Sequence, residues 1–316
     1  MTARASLVIA TRKSKLALWQ AEHVAAGLRA AHPGLEVELL AMSTKGDQIQ
    51  DRSLAAIGGK GLFIKELEAA LDDGRADLAV HSMKDVPSEL PPGMMLAAML
   101  TRADPRDALI ARRGCSLAEL PPGARLGTSS LRRRAQLLAS RPDLDIQTLR
   151  GNVDTRLRRL EEGDLDAIVL AAAGLARLGL ESRISALLDP SVSLPAVGQG
   201  VIGIECRSDD AAARKAVRVL DDAAAHAAVS AERAFARRLG GSCQSPIAAF
   251  AEFAAAGRPA AERLELRGLV AEPDGSRVIK DSLAGPAAEA EEIGERLAER
   301  LLAAGAGELL ERLRDG

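Results

Sequence analysis

The chain has 316 residues, 47% hydrophobic and 27% charged, with a formal net charge of −2. That length exceeds what one core organises, so two or three domains are expected, and the composition excludes a disordered chain. The near-neutral balance excludes a broadly basic surface for nucleic acid or anionic membrane, yet 34 of the 42 cations are Arg, which grips a carboxylate with a planar fork.

Residues 6–10 read as a buried strand. A helix follows from near Ser14, with Leu16, Trp19, His23, Val24 and Leu28 at three- and four-residue spacings, and stops at His32-Pro33-Gly34. Residues 35–42 form the next strand. Residues 43–61 lack periodicity and carry Gly46, Gly58, Gly59 and Gly61, so they read as a long lid or binding loop before a helix over 62–73. Gly58-Gly59-Lys60-Gly61 lacks the spacing of a P-loop, which argues against nucleotide. Residues 77–81 form a strand ending in Ser82-Met83-Lys84-Asp85-Val86-Pro87, and Pro-Pro-Gly turns at 91–93 and 121–123 bracket a boundary near residue 100.

A second round begins at Arg125: a strand to Gly127, a helix over 131–139, a strand at 144–148, a helix over 153–161 and a strand at 166–170. This alternation predicts α/β domains built on mostly parallel sheets. Residues 195–200 interrupt it, 201–205 are strand-like, and the chain is helical from 209 to about 239. Strands at 264–270 and 276–281 and a helix at 286–302 read as a small α+β domain.

Ligands of open α/β sheets bind where strand ends lead into helix starts. Four stretches have that form: Ala10 to Ser14, His81 to Asp85, Gly127 to Arg134, and Leu149 to Arg156. Singly, their Ser and Thr read as plain N-caps; four together favour an anion-binding cleft. Arg134, Arg158 and Arg159 lie too far along their helices and read as solvated. Asp85 reads equally as an acid–base group or as a turn carboxylate. The four histidines show no metal spacing, so no metal is expected, and His81 reads as a core or turn residue. Among Cys115, Cys206 and Cys243, only Cys243 lies in a Gly-rich turn that exposes sulfur, where it is either a nucleophile or attachment point or a plain thiol. An odd cysteine count, the lack of a signal-peptide core and the lack of any run of ~18 to 20 apolar residues give a cytoplasmic expectation.

Taken in order, Ala10-Thr11-Arg12, the stretch from Gly58 to Phe63, His81 to Pro87, Gly127 to Arg133, Leu149 to Arg156, Leu194 to Gly200 and Gly241 to Pro246 resemble the hydroxymethylbilane synthases, also called porphobilinogen deaminases. The resemblance runs from about Leu7 to the C-terminus. It implies two periplasmic-binding-protein-like (type II) α/β domains plus a small α+β C-terminal domain: domain 1 over 1–99 and 200–220, domain 2 over 100–199 and domain 3 over 221–316. It implies a transferase of tetrapyrrole and heme biosynthesis that condenses four porphobilinogens head to tail, releases ammonia at each step, and frees the tetrapyrrole by hydrolysis. Its primer is a dipyrromethane cofactor joined by a thioether at Cys243.

By the same resemblance Asp85 is the catalytic carboxylate. Lys84, Ser129, Ser130, Arg132 and Arg133 bind the cofactor, and Arg12, Ser14, Lys60, Phe63, Arg150, Arg156, Arg177 and Gln199 bind substrate. A monomer without nucleic-acid or membrane partners is implied. Ser242, where a Gly often precedes the tether cysteine, and Lys13 and Lys15 are small departures. The competing reading is a two-domain anion-binding protein without catalysis, which has no use for Asp85, Cys243 or a third domain.

Overall fold

The computed structural model describes residues 6–44, 64–241, 245–253 and 263–315. In chain order its strands are β1 Ser6–Arg12, β2 Glu36–Met42, β3 Leu78–Ser82, β4 Met94–Met99, β5 Asp107–Ala111, β6 Arg125–Gly127, β7 Asp145–Gln147, β8 Ala167–Ala171, β9 Ala186–Leu188, β10 Ile202–Arg207, β11 Ile247–Phe253, β12 Arg263–Ala271 and β13 Val278–Pro286. Two compact units result, Met1–Ala103 with Val201–His226, and Asp104–Gly200 with Ala227–Gly316.

The first unit holds a five-stranded sheet in the order β2-β1-β3-β10-β4. β1 runs parallel to β2 and β3, and β10 runs antiparallel to β3 and β4. Leu7, Ile9, Leu78, Ile202 and Ile204 point to the face closed by Val24 and Leu28 of the helix Lys15–Ala31. Ala10 and Ala79 point to the opposite face, against Leu67 and Leu71 of the helix Lys65–Asp72. The period-two alternation of a strand therefore decides which helix a side chain meets.

Ser14 caps the helix Lys15–Ala31, its Oγ accepting the Ala17 N–H at 3.3 Å. The buried stripe is Ala17, Gln20, Ala21, Val24, Ala25 and Leu28, so Val24 and Leu28 lie on the core face as expected, whereas Trp19 is 38% exposed and stacks on the exposed His23 at 5.0 Å. Alanine lets a helix lie close to a sheet, so reading the stripe from the larger side chains missed Ala17, Ala21 and Ala25 and added Trp19 and His23.

The second unit repeats the plan as β7-β6-β8-β5-β9, with β6 parallel to β7 and β8, and β5 antiparallel to β8 and β9. Four strands of each sheet thus run in one direction, as the expected mostly parallel sheets require, and one strand in each, β10 or β5, is reversed. Strands linked through a crossover helix run parallel, whereas β5 and β10 are each the first strand after the chain changes unit and enter from outside that run. The helix Leu131–Ser140 covers Leu109, Leu126 and Val169 through Leu137, and the helix Val153–Glu161 covers Ile110 and Ile168 through Leu157 and Leu160.

The expected small α+β part is present in this unit as the antiparallel sheet β11-β12-β13, packed on Phe235, Ile293 and Leu297 of the helices Ala223–Arg238 and Ala290–Leu301. Its other face, with Ala248, Phe250 and Leu269, meets Ala135 of the helix Leu131–Ser140. The α/β class with two like sheets and a small C-terminal sheet is the one expected.

Candidate active site

In the first unit a pocket opens beyond the ends of β1 and β3, lined among others by Arg12, Ser14, Gln20, His81, Ser82 and Asp85. Three predicted residues, Arg12, Ser14 and Asp85, thereby share one site. β3 ends in a single 3-10 turn, Met83–Asp85, closed by Val86 N–H on Met83 O at 3.1 Å and anchored by Met83 N–H on Val201 O at 3.0 Å. Gly203 lies beneath it, where a Cβ would require the Met83 side chain to shift. The turn leaves Lys84 and Asp85 half-buried. Gln20 donates to Ser82 Oγ at 2.8 Å.

His81 is buried and its Nε2 lies 2.9 Å from Oε2 of the buried Glu205; Glu205 Oε1 is buried without a partner. This matches the core reading of His81. Both belong to the sheet face of the helix Lys65–Asp72, where Glu68 is held above the usual carboxyl range by burial and then by the Glu205 charge, with His81 and Lys65 opposing.

In the second unit Ser130 caps the helix Leu131–Ser140, its Oγ accepting the Arg133 N–H at 3.4 Å, and Ser129 is exposed. Arg132 and Arg133 are only 4% and 5% exposed, turned inward onto Asp107, which is 0% exposed. Arg132 Nη1 lies 2.9 Å from Asp107 Oδ2 and Arg133 Nη2 2.7 Å from Oδ1. Ser193 Oγ donates to Oδ2 at 2.7 Å and Gln199 Nε2 to Oδ1 at 2.9 Å. Burial opposes the charge on Asp107, but the two guanidiniums outweigh it and hold the carboxyl far below its ordinary range. Burial pulls Arg132 down from the usual guanidinium range against the pull of Asp107.

Of the other predicted residues, Arg156 Nε donates to Gly151 O at 2.8 Å, and Arg150 is half-buried at the start of the same turn. Arg177 Nη2 donates to Gly200 O at 2.7 Å, and burial pushes its pKa down to about 10. Arg134, Arg158 and Arg159 are exposed, as expected. Cys206 is buried, and burial followed by Asp210 pushes its thiol up to about 11, which fits a passive role. Lys60, Phe63 and Cys243 lie outside the described residues.

Among the buried acids that were not anticipated, Asp107 and Glu205 lie on the sheets beside the candidate sites. Each has a sequence signal, a lone carboxylate next to or within an apolar run, Asp107 before Ala108-Leu109-Ile110-Ala111 and Glu205 after Val201-Ile202-Gly203-Ile204. Charges in such strands are rarely buried unless paired. Among the described residues no cluster of three or more His, Cys, Asp or Glu could hold a metal, and no helix is long and apolar enough to cross a membrane.

Two family models match the chain: "Porphobilinogen deaminase, dipyromethane cofactor binding domain" over residues 7–215, and "Porphobilinogen deaminase, C-terminal domain" over 226–303. The porphobilinogen deaminase of Syntrophotalea carbinolica is 58% identical over 98% of this chain and 96% of its own length. That of Bordetella parapertussis is 56% identical over 99% of this chain and 98% of its own length. Among solved structures, the methionine binding protein MetQ is similar with a TM-score of 0.44 at 15% identity, covering 68% of this chain and 89% of its own.

Proposed function

The chain belongs to the porphobilinogen deaminase family, and from that premise we propose which side chains carry its reaction. The reaction is the condensation of four porphobilinogens, with loss of ammonia, to hydroxymethylbilane, and the enzyme works with a dipyrromethane cofactor.

The residues present fit that cofactor, whose pyrroles carry acetate and propionate groups. Arg132 and Arg133 bring two positive charges against the single Asp107, and Arg132 Nε is buried without a partner, so the donor set lacks one negative charge. When bound, the cofactor supplies the electron-rich pyrrole carbon from which the chain grows. Cys243 is its attachment point, and Lys84, Ser129, Ser130, Arg132 and Arg133 hold it. Arg12, Ser14, Arg150, Arg156, Arg177 and Gln199, with Lys60 and Phe63, receive the substrate.

Asp85 carries the chemistry. As ammonia leaves, positive charge develops on the substrate pyrrole, and a carboxylate against the ring nitrogen stabilises it. The same carboxylate accepts the proton released once the new carbon–carbon bond has formed. The observation that carries this reading is the shared pocket of Asp85, Arg12 and Ser14, an anionic group beside a cation and a helix start that receive a substrate carboxylate.

The three-domain division at 1–99 with 200–220, 100–199 and 221–316 belongs to the same reading. So do a monomeric state, a cytoplasmic location and the lack of nucleic-acid or membrane partners, which the net charge of −2 supports. Intact-mass measurement tests the core of it. The expected result is an adduct of two linked pyrrole units that disappears in Cys243→Ser; active enzyme of unmodified mass would overturn the attachment.

A further inference from the structure

The two α/β sheets provide a comparison within one chain. Ile202 opposes Ser82, the last residue of β3, and Asp107 opposes Ala171, the last residue of β8. The two therefore hold matching positions on the fourth strand of each sheet. The helices over them also match: Ser14 caps the start Lys15-Leu16-Ala17, and Ser130 caps the start Leu131-Arg132-Arg133, each serine accepting the third helical N–H. The equivalent positions in the first unit are Leu16, Ala17 and Ile202, all apolar. In the second they are Arg132, Arg133 and Asp107, all charged and buried. The plan of the sheet does not require ions there, and a buried ion cluster is often no more stable than apolar residues of similar size.

We propose that Asp107 is a positioning residue that holds the forks of Arg132 and Arg133 in place for ligand carboxylates. The proposal rests on the reading of those arginines as carboxylate binders. Oδ1 accepts from Arg133 Nε at 3.0 Å and Nη2 at 2.7 Å, from Arg132 Nη2 at 3.2 Å and from Gln199 Nε2 at 2.9 Å. Oδ2 accepts from Ser193 Oγ at 2.7 Å and pairs with Arg132 Nη1 at 2.9 Å. The carbonyls of Leu194 and Val169 take one further N–H from Arg132 and Arg133 respectively. Each guanidinium is thus fixed by several bonds and cannot swing to a new rotamer without leaving a buried group unpaired. The remaining supports of Asp107 are the neutral Ser193 and Gln199, so the bracket keeps one net positive charge for a ligand to balance. Gln199 joins the bracket by donating also to Pro105 O at 2.7 Å.

The test compares Asp107→Asn, Arg133→Leu and their double variant by intact mass, kcat and KM, with Ser193→Ala as a milder change that removes only one bond to Oδ2. Asparagine keeps the shape but turns a donor toward Arg132, so kcat/KM is expected to fall on the order of a hundredfold, as for a misplaced reacting group. Ser193→Ala is expected to lose up to about tenfold. The double variant is expected to be no worse than the poorer single one, because the two residues belong to one contact network, and a fall in kcat/KM at unchanged melting temperature separates positioning from a purely structural role. Wild-type kinetics and full adduct mass in Asp107→Asn and Ser193→Ala, with Arg133→Leu impaired, would overturn the proposal alone. Wild-type behaviour of Arg132→Leu and Arg133→Leu would overturn the reading beneath it as well. If Asp107→Asn does not fold, Ser193→Ala decides: a loss of kcat/KM at unchanged melting temperature supports the proposal, and no loss overturns it.

Discussion

The fourth strand of each sheet buries a carboxylate, Glu205 in one unit and Asp107 in the other, and the two are balanced in opposite ways. Glu205 faces the helix Lys65–Asp72, where it meets His81 and stands near a second acid, Glu68. Asp107 faces the helix Leu131–Ser140, where two arginines converge on it. Strand parity makes the difference: Glu205 lies three residues beyond Ile202, the position that matches Asp107, and so points to the opposite face. One unit thus gathers acids and a histidine behind Asp85, and the other keeps surplus positive charge. In the proposed roles, the first unit supplies the acid–base group Asp85 and a substrate-carboxylate site at Arg12 and Ser14, and the second supplies the buried arginines for cofactor carboxylates.

The strongest way to break that division is Asp85→Asn. It is expected to lower kcat by 10²- to 10⁴-fold, on the order of a lost acid–base group, with the two-pyrrole adduct still present by mass. Arg132→Leu is expected to lose the adduct itself or its elongation. If both variants fail in the same way, by losing the adduct, the units do not divide the work as proposed.

Stability gives the next test. Arg133→Leu leaves Asp107 with one guanidinium, and removing one partner of a buried ion cluster costs about 3 to 5 kcal/mol. The pH dependence has a fixed sign. Because the native carboxyl of Asp107 titrates far below its unfolded value of about 4, its stabilisation is fully present above that pH and is lost progressively as pH falls below it. The stability gap between the native protein and Asp107→Asn, read from urea midpoints, is therefore expected to shrink from pH 7 to pH 3. A gap that stays constant would show that the charge is not what holds the site.

On the other side, Glu205→Gln is expected to cost about 1 to 3 kcal/mol, since His81 keeps a neutral partner in place of a charged one. It removes one of the two causes that hold Glu68 high, so the Glu68 carboxyl, followed by NMR titration, is expected to fall toward its ordinary value. An unmoved Glu68 would separate it from the acid cluster and weaken the contrast between the units.

Much of this was legible in the sequence, and what was not has identifiable causes. The Ser14 and Ser130 caps, the helix Val153–Glu161 and the β1 and β2 strands follow from local spacing. β5 does not, because Asp107-Ala108-Leu109-Ile110-Ala111 opens on a charged residue and its partners β8 and β9 lie about sixty to eighty residues away. The inward course of Arg132 and Arg133 was equally hidden. An Arg at a helix start ordinarily reaches solvent or ligand, and here the distant Asp107, with the carbonyls of Leu194 and Val169, turns these two inward. Residue chemistry and the family resemblance thus singled out the arginines as candidates, while their support depended on a strand pairing that no local pattern encodes.

The smallest predicted effect concerns the two serines that start the matching helices. Each makes one cap bond to its third helical N–H, at 3.3 Å for Ser14 and 3.4 Å for Ser130, and serine-to-alanine replacement of a cap costs about 1 kcal/mol. If capping is all they do, Ser14→Ala and Ser130→Ala should lower the melting temperature alike and leave KM unchanged. In their proposed binding roles the two diverge. Ser14 lines the pocket with Arg12 and Asp85, so its loss should raise KM for porphobilinogen. Ser130 heads the helix of the buried arginines, so its loss should reduce adduct retention by mass while KM stays closer to normal. Equal melting losses with those separate functional losses would sharpen the division between the units, and equal melting losses alone would reduce both serines to caps.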